Sequence, residues 1–425
     1  MEPDWLEHAI WWHVLPLSFV GAEGDSAGVE ITHRLGRIVD WFDYAVELGA
    51  SGVALGPVFA SGTHGYDTTD HFRIDPRLGD DADFRALTAA AHDRGLRVLL
   101  DGVFNHVGRE FPAFVAAEAG GPEAAWFRRA DDGGWATFEG HDMLVALNHD
   151  EPAVAEHVVA VMGHWLAAGA DGWRLDAAYA VPPAFWARVL PQVRERFPDV
   201  YVVGEVIHGE YADIVEASGM DAVTQYELWK AIRNAIEERN LFELDHALGR
   251  HNAMLATFVP QTFVGNHDVT RIASAIDDER HLPHALVTLF TVAGTPSVYY
   301  GDEQAFRGTK EERAGGDDAI RPQFPASPAD LSPLGEDTHR LHQELIGLRR
   351  RHPWLHRAGT TTLHLTNTAL VYEVQAHGRR LVTALNLDDA PLEHDVPGVS
   401  EVVAGEARLD GTAVTVAPHG WAVLS

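Results

Sequence analysis

The chain has 425 residues, 46% of them hydrophobic and 22% charged, which is the composition of a folded globular protein of two or three domains, or fewer if one is an α/β barrel. Its 63 acidic and 32 basic side chains leave a formal charge of −31, which repels phosphate backbones and anionic lipid and argues against nucleic-acid and membrane partners. The absence of cysteine excludes disulfides, thiolate metal sites and cysteine nucleophiles together.

The opening MEPDWLEHAIWWHVLPLSF has no basic segment leading into an unbroken apolar run, so it does not read as a secretory leader. No window of about 20 uncharged apolar residues occurs either, and a cytoplasmic protein is expected. In chain order, apolar runs at 10–17, 52–55, 96–104, 172–176, 200–205, 221–225, 262–264 and 297–300 read as strands. Helix-period segments follow them at 33–48, 82–94, 154–168, 183–196, 209–217, 227–248, 284–293 and 337–351. Such a repeat predicts an α/β fold, a closed (β/α)8 TIM barrel rather than an open sheet. Residues 107–150 and 302–334 interrupt it with Gly, Pro and aromatic side chains, and long loops in a compact domain are usually functional. From 358 the pattern becomes short alternating strands: TTLHL, ALVYEVQ, RLVTALNL, AVTVAP and WAVLS. The expected organisation is a barrel over 1–106 and 149–355, a loop subdomain over 107–148 and a C-terminal antiparallel β-sandwich-like domain over 356–425.

In a barrel of this kind the site is built at the carboxyl ends of the strands. Strand three ends in DGVFNHVG, with Asp101, Asn105 and His106, and strand four in DGWRLDAAY, with Arg174 and Asp176. Strand five ends at Glu205, and strand seven runs into Asn266, His267 and Asp268. A lone Asp after a strand is more often a helix cap. Asp176, Glu205 and Asp268 all close apolar runs, so their carboxylates converge on one mouth of the barrel, where crowded acids have the perturbed ionisation that catalysis uses. Metal-assisted chemistry and glycoside hydrolysis both suit such a set. Neighbouring strands lie about 4.8 Å apart, close to the 5–5.5 Å that separates the two carboxyl groups of a retaining glycosidase.

These motifs resemble those of the α-amylase family of glycoside hydrolases, family 13, over nearly the whole chain. DGVFNH (101–106), GWRLD (172–176), GE (204–205) and NHD (266–268) stand in the family's order, with HGYDT (64–68) and GTPSVYYGDE (294–303) beside them. The stretch 56–79 looks most like the cyclomaltodextrinase, neopullulanase and maltogenic amylase branch. The resemblance implies a retaining hydrolase of α-1,4 and also α-1,6 bonds in short linear or cyclic maltooligosaccharides, including cyclic maltosyl-maltose. It implies Asp176 as nucleophile, Glu205 as the protonated acid and later base, and Asp268 as the acid that holds sugar hydroxyls. Arg174 is then expected to keep Asp176 ionised, His106 and His267 to supply neutral donors, and Tyr66 to stack on sugar. Asp67, Asp101 and Arg321 complete the substrate-binding set. A transglycosylase using the same intermediate and a non-catalytic sugar-binding protein of this fold are the alternatives.

Several features depart from the family pattern. Many members bind calcium beside the loop subdomain with help from a Lys-His pair after the nucleophile, whereas here Ala177, Ala178, Tyr179 and Ala180 follow. No cofactor is expected to be required, and a structural calcium has Asn105 as its candidate ligand. Branch members usually carry an extra amino-terminal β-domain, while this chain starts almost at its first barrel strand. Ile207 stands where relatives often have an aromatic residue, which implies an altered leaving-group subsite. LVALN (144–148) ends in Asn, as in the branch acting on both bond types, but lacks the usual proline. Trp126, Phe127, Trp135 and Phe138 are candidate sugar platforms. The 25 histidines show no metalloenzyme spacing, and His8, His92 and His281 are expected to face solvent. Arg349, Arg350 and Arg351 read as a charged helix end. The expected partner is an oligosaccharide, with a homodimer left open.

Overall fold

Apolar strands too short to bury themselves alone pair side by side here until the sheet closes. The computed structural model describes residues 2–313 and 315–425. Strands β1 (Trp11–Val14), β2 (Gly52–Leu55), β3 (Arg97–Gly102), β4 (Gly172–Leu175), β5 (Tyr201–Gly204), β6 (Ala222–Val223), β7 (Gln261–Phe263) and β8 (Thr295–Tyr299) form one sheet ordered β6-β5-β4-β3-β2-β1-β8-β7. Every pairing within it is parallel. A parallel bridge from Thr224 to Gln261 joins its two ends, completing the expected barrel.

All strand positions except Arg97 and Arg174 are buried, because barrel strands are covered on both faces. Alternation sorts the first strand's side chains. The Trp11 ring stacks on Tyr201 at 6.2 Å, whereas Trp12 packs against Phe19 and Trp41. Gly52 makes room for Trp11, since a Cβ there would lie 2.4 Å from the indole.

Two helices differ from the sequence pattern. The segment expected at 227–248 is two helices, Tyr226–Glu237 and Leu241–Met254, broken where Arg239 takes a left-handed φ of 52°. No Gly or Pro marks that break, so its apolar period reads through. The segment at 33–48 is helical only over Gly36–Val39 and Phe42–Leu48.

The loop after β2 carries a hairpin of Phe59–Ser61 and Thr68–Ile74. A buried ion pair braces it: Arg77 Nε and Nη2 donate to the two oxygens of Asp75 at 2.8 and 2.7 Å, and Arg77 Nη1 reaches the Gly24 and Thr63 carbonyls. After β3 the chain forms a three-stranded antiparallel sheet of His106–Gly108, His141–Ala146 and Thr137–Phe138, with a helix over Pro112–Glu118.

The C-terminal residues form a five-stranded and a three-stranded antiparallel sheet. Strands Leu392–Asp395, Val402–Gly405 and Arg408–Asp410 escaped the sequence pattern because they are short and half exposed. Along Ala369–Ala376, Val371 faces the second sheet's core while Leu370, Tyr372 and Val374 face the barrel. The Tyr372 hydroxyl lies 2.7 Å from Thr291 Oγ1, fixing that contact. His8 and His92 are exposed as expected, but His281 is buried beneath this module at 4% exposure. Arg349 also departs from expectation: it is buried, with its guanidinium on the carbonyls of Phe290, Val292 and Gly294. Burial pushes its pKa down to about 9.

Asp75→Ala strands the Arg77 guanidinium in the interior, and removing one partner of a buried pair costs about 3–5 kcal/mol. Urea unfolding at neutral pH should show that loss, and a change under about 1 kcal/mol would contradict the bracing role.

Candidate active site

Register across the barrel brings the candidate groups together before any side chain is considered. Asp101 on β3 is paired with Arg174 on β4, and Leu175 is paired with Gly204, so Asp176 and Glu205 leave neighbouring strands at the same height. Arg174 is the hub. Its Nη1 donates to Asp101 Oδ1 and Oδ2 at 2.7 and 2.6 Å and to Asp176 Oδ1 at 3.3 Å, and its Nη2 pairs with Glu205 Oε1 at 2.7 Å. Glu205 Oε2 accepts from the Ala177 N–H at 3.0 Å, where the chain takes a left-handed turn (φ 45°). Glu205 Oε1 also accepts from the Tyr226 hydroxyl at 3.1 Å, which in turn accepts from the Asn266 amide at 2.9 Å.

Three carboxyl groups share one guanidinium. Burial, and next the Glu205 charge, push the Asp176 carboxyl well above the usual range despite Arg174. Burial raises Asp101 too, against the pull of Arg174. Asp268 is the opposite case: burial raises it, but the His267 ring and Arg321 prevail and hold it well below the usual range. Arg321 Nη2 donates to Asp268 Oδ1 at 2.8 Å, and His267 Nε2 lies 3.0 Å from Asp268 Oδ2.

Asp176, Glu205 and Asp268 line one cleft of about 390 Å³, walled by Tyr66, His106, Phe138, Tyr179, Trp229 and Lys310. That volume suits a small organic ligand. Residues 13–360 match the catalytic domain of alpha-amylase. The chain belongs to the alpha-amylase family. It is 32% identical to a cyclomaltodextrinase from a Bacillus species, over 84% of this chain and 68% of that protein. It is 28% identical to the intracellular maltogenic amylase of Bacillus subtilis strain 168, over 73% of this chain and 57% of that one. The solved cyclic alpha-maltosyl-(1→6)-maltose hydrolase of Arthrobacter globiformis, in its ligand-free form, superposes with a TM-score of 0.85 at 25% identity, covering 100% of this chain and 99% of the other.

In this alpha-amylase family member several side chains do something other than expected. Arg174 does not serve Asp176 alone, since its shorter contacts go to Asp101 and Glu205. Asp67 is turned away from the cleft and fixes its own loop, accepting from Thr63 Oγ1 at 2.9 Å and from the His64 N–H at 3.2 Å. His106 is neutral at pH 7, as expected, because burial pushes it down to about 4. Both its nitrogens are already engaged, with Nε2 3.1 Å from the Tyr66 carbonyl and Nδ1 3.1 Å from the Asn105 amide. The Tyr66 ring stacks on His267 at 5.4 Å, and its hydroxyl donates to Asp101 at 3.2 Å.

Asn105, the candidate calcium ligand, holds its amide nitrogen 3.1 Å from His106 Nδ1, so its amide oxygen, the atom a calcium ion would take, points away from that ring. Of the four aromatic candidates only Phe138 lines the cleft, stacked on His106 at 4.8 Å. Trp135 and Phe127 pack with Phe114 inside the loop subdomain, and Trp126 stands against His157. Ile207 does line the cleft, 41% exposed. Tyr226, Trp229, Tyr179 and Lys310 were not found from sequence. Tyr226 begins the helix three residues after β6, at the same carboxyl end of the barrel as the other site residues.

Trp135→Ala therefore acts on folding, lowering stability by about 2–4 kcal/mol in urea unfolding. Phe138→Ala should weaken oligosaccharide binding and leave the unfolding midpoint nearly unchanged. An interchange of these two effects would refute the placement.

Proposed function

We propose that the chain is a retaining α-glucan hydrolase that cleaves α-1,4 and α-1,6 bonds of short linear or cyclic maltooligosaccharides inside the cell. The observation that carries this reading is the Arg174 hub, which holds Asp176 and Glu205 from neighbouring strands beside Asp268 in one cleft. Adjacent strands supply the close carboxyl spacing of a retaining mechanism. The similarity to a cyclomaltodextrinase and to a cyclic maltosyl-maltose hydrolase supports the substrate class, and the likeness to an intracellular maltogenic amylase supports the compartment.

Asp176 attacks the anomeric carbon as the bond to the leaving oxygen breaks, and Glu205 gives that oxygen its proton. Water then attacks the glucosyl–Asp176 ester while Glu205 takes the water's proton, so two inversions return the starting configuration. Asp268, ionised and fixed by Arg321 and His267, accepts hydrogen bonds from ring hydroxyls at the cleaved unit. Tyr66 presents a ring face to the sugar, and Phe138 and Trp229 offer apolar faces along the cleft. None of these steps uses a metal.

Asp176→Asn and Glu205→Gln should each lower turnover at least about a thousandfold. Near-normal activity in either variant would sink the assignment. Nuclear magnetic resonance of fresh product should show the α-anomer first. Products from linear, branched and cyclic glucans define the preferred substrate, and chains longer than the starting sugar would point to transglycosylation instead.

A further inference from the structure

We propose that Asp278, His281 and His419 form a binding site for a divalent first-row transition metal, of which Zn2+ is the best match, where the C-terminal module meets the barrel. His281 Nε2 donates a hydrogen bond to His419 Nδ1 at 2.9 Å, and Asp278 Oδ2 lies 4.0 Å from His281 Nε2; an ion between them takes the place of that proton, which moves to His281 Nδ1 or to solvent. The three ligand atoms all lie within 4.8 Å of one another. Both imidazoles are largely buried, with side-chain exposures of 5% and 9%, while Asp278 at 35% keeps the position opposite them open to solvent.

The surroundings match what a metal-binding histidine needs. Asp389 Oδ1 lies 2.8 Å from His419 Nε2. A carboxylate on the far nitrogen fixes the tautomer in which the near nitrogen carries a free lone pair, and such outer carboxylates are typical of histidine metal sites. Arg280 orients the Asp278 carboxylate, with Nε on Oδ1 at 2.9 Å and Nη2 on Oδ2 at 2.7 Å, so an ion would share Oδ2 with the guanidinium. Two nitrogens and one oxygen suit Zn2+, Co2+ or Ni2+ rather than Ca2+. With Zn–N bonds of about 2.0–2.1 Å, tetrahedral ligands stand about 3.3 Å apart, so the two rings need to separate only slightly. His284 is not a fourth ligand: its Nε2 lies on the Asn386 and Gly420 carbonyls at 3.1 and 3.0 Å, and its unpartnered Nδ1 does not come within 4.8 Å of all three ligand atoms. The other cluster, His33, Asp80 and Asp83, is explained by the capping box that starts the helix Asp81–Asp93.

Such an ion would tie residues 278–281, just before the helix Leu282–Thr291, to the 417–420 turn of the last sheet. Binding to the folded state alone raises stability by mass action. The test does not involve the cleft or its activity. The full chain, stripped with chelator and dialysed, is titrated with ZnCl2 by calorimetry and with CoCl2 by visible absorption. We expect one Zn2+ per chain, a raised melting temperature, and Co2+ bands of a four-coordinate site. His419→Asn keeps a side chain that tolerates the left-handed backbone at this position (φ 55°), and it should abolish the bands. Asp389→Asn, at an exposed side chain, should weaken Zn2+ about 10–100-fold. Exposed His8→Asn should change nothing. Failure to take up one Zn2+, or equal affinity in His419→Asn, would overturn the proposal.

Discussion

The site depends on one buried guanidinium. Arg174 sits on β4 between three carboxyl groups contributed by β3, β4 and β5, and without it those acids could not share a space closed to water. Its planar fork is what makes this possible, because two nitrogens reach three partners at once, which a lysine ammonium on a flexible stem cannot reproduce. Asp101 takes the tightest pair of contacts and lies deepest, at 1% exposure, so it anchors the arginine and leaves its outer side to Asp176 and Glu205.

The same device recurs around the cleft. Arg77 braces the loop that carries Tyr66, and Arg271, fully buried, joins Asp302 at 2.8 Å to the carbonyls of Tyr300 and Ile320 at 2.9 Å. The latter contacts position the segment leading to Arg321, which fixes Asp268. Long loops have backbone carbonyls with no ladder to join, and an interior arginine satisfies several of them at a single point. With 32 basic residues against 63 acidic ones, the chain places part of its scarce positive charge inside, where it orders functional loops. Most of the acids stay outside, and neutral sugars are indifferent to that field.

Legibility from sequence followed the same division between local and distant order. The barrel was legible because each strand is an apolar run and each helix keeps its period. Asp176, Glu205 and Asp268 were legible because a strand's carboxyl end has only one place to go. Tyr226 was missed because β6 has only two residues and polar neighbours, which made its end look unlike the others. Asp67 was misjudged because it adjoins Tyr66 in sequence, while its carboxylate turns back into its own loop. His281 and His419 are 138 residues apart, and no periodicity within either segment reports the other. Trp135 and Phe138 are three residues apart, yet only the second reaches the cleft: Trp135 packs back on Phe114 and Phe127, whereas Phe138 ends its strand at the hairpin turn and stacks on His106.

The position of one proton sets the remaining condition on the proposed chemistry. A nucleophile must be ionised and an acid protonated, yet burial and the Glu205 charge push Asp176 up while Arg174 pairs with Glu205. One guanidinium cannot neutralise three carboxylates out of water, so a proton stays in the cluster and its location is what changes. A sugar bound over Tyr66 brings the positive character of its anomeric carbon next to Asp176, which favours the ionised form there. Glu205 Oε2 is fixed on the Ala177 N–H, so the contacts free to loosen as Glu205 takes the proton are those on Oε1, from Arg174 Nη2 and the Tyr226 hydroxyl. The 3.3 Å contact from Arg174 to Asp176 has room to shorten as that carboxylate gains charge. Arg174 is therefore more than a brace in the proposed reaction: its shift of weight from Glu205 to Asp176 is what separates an acid from a nucleophile in two carboxyl groups that share it.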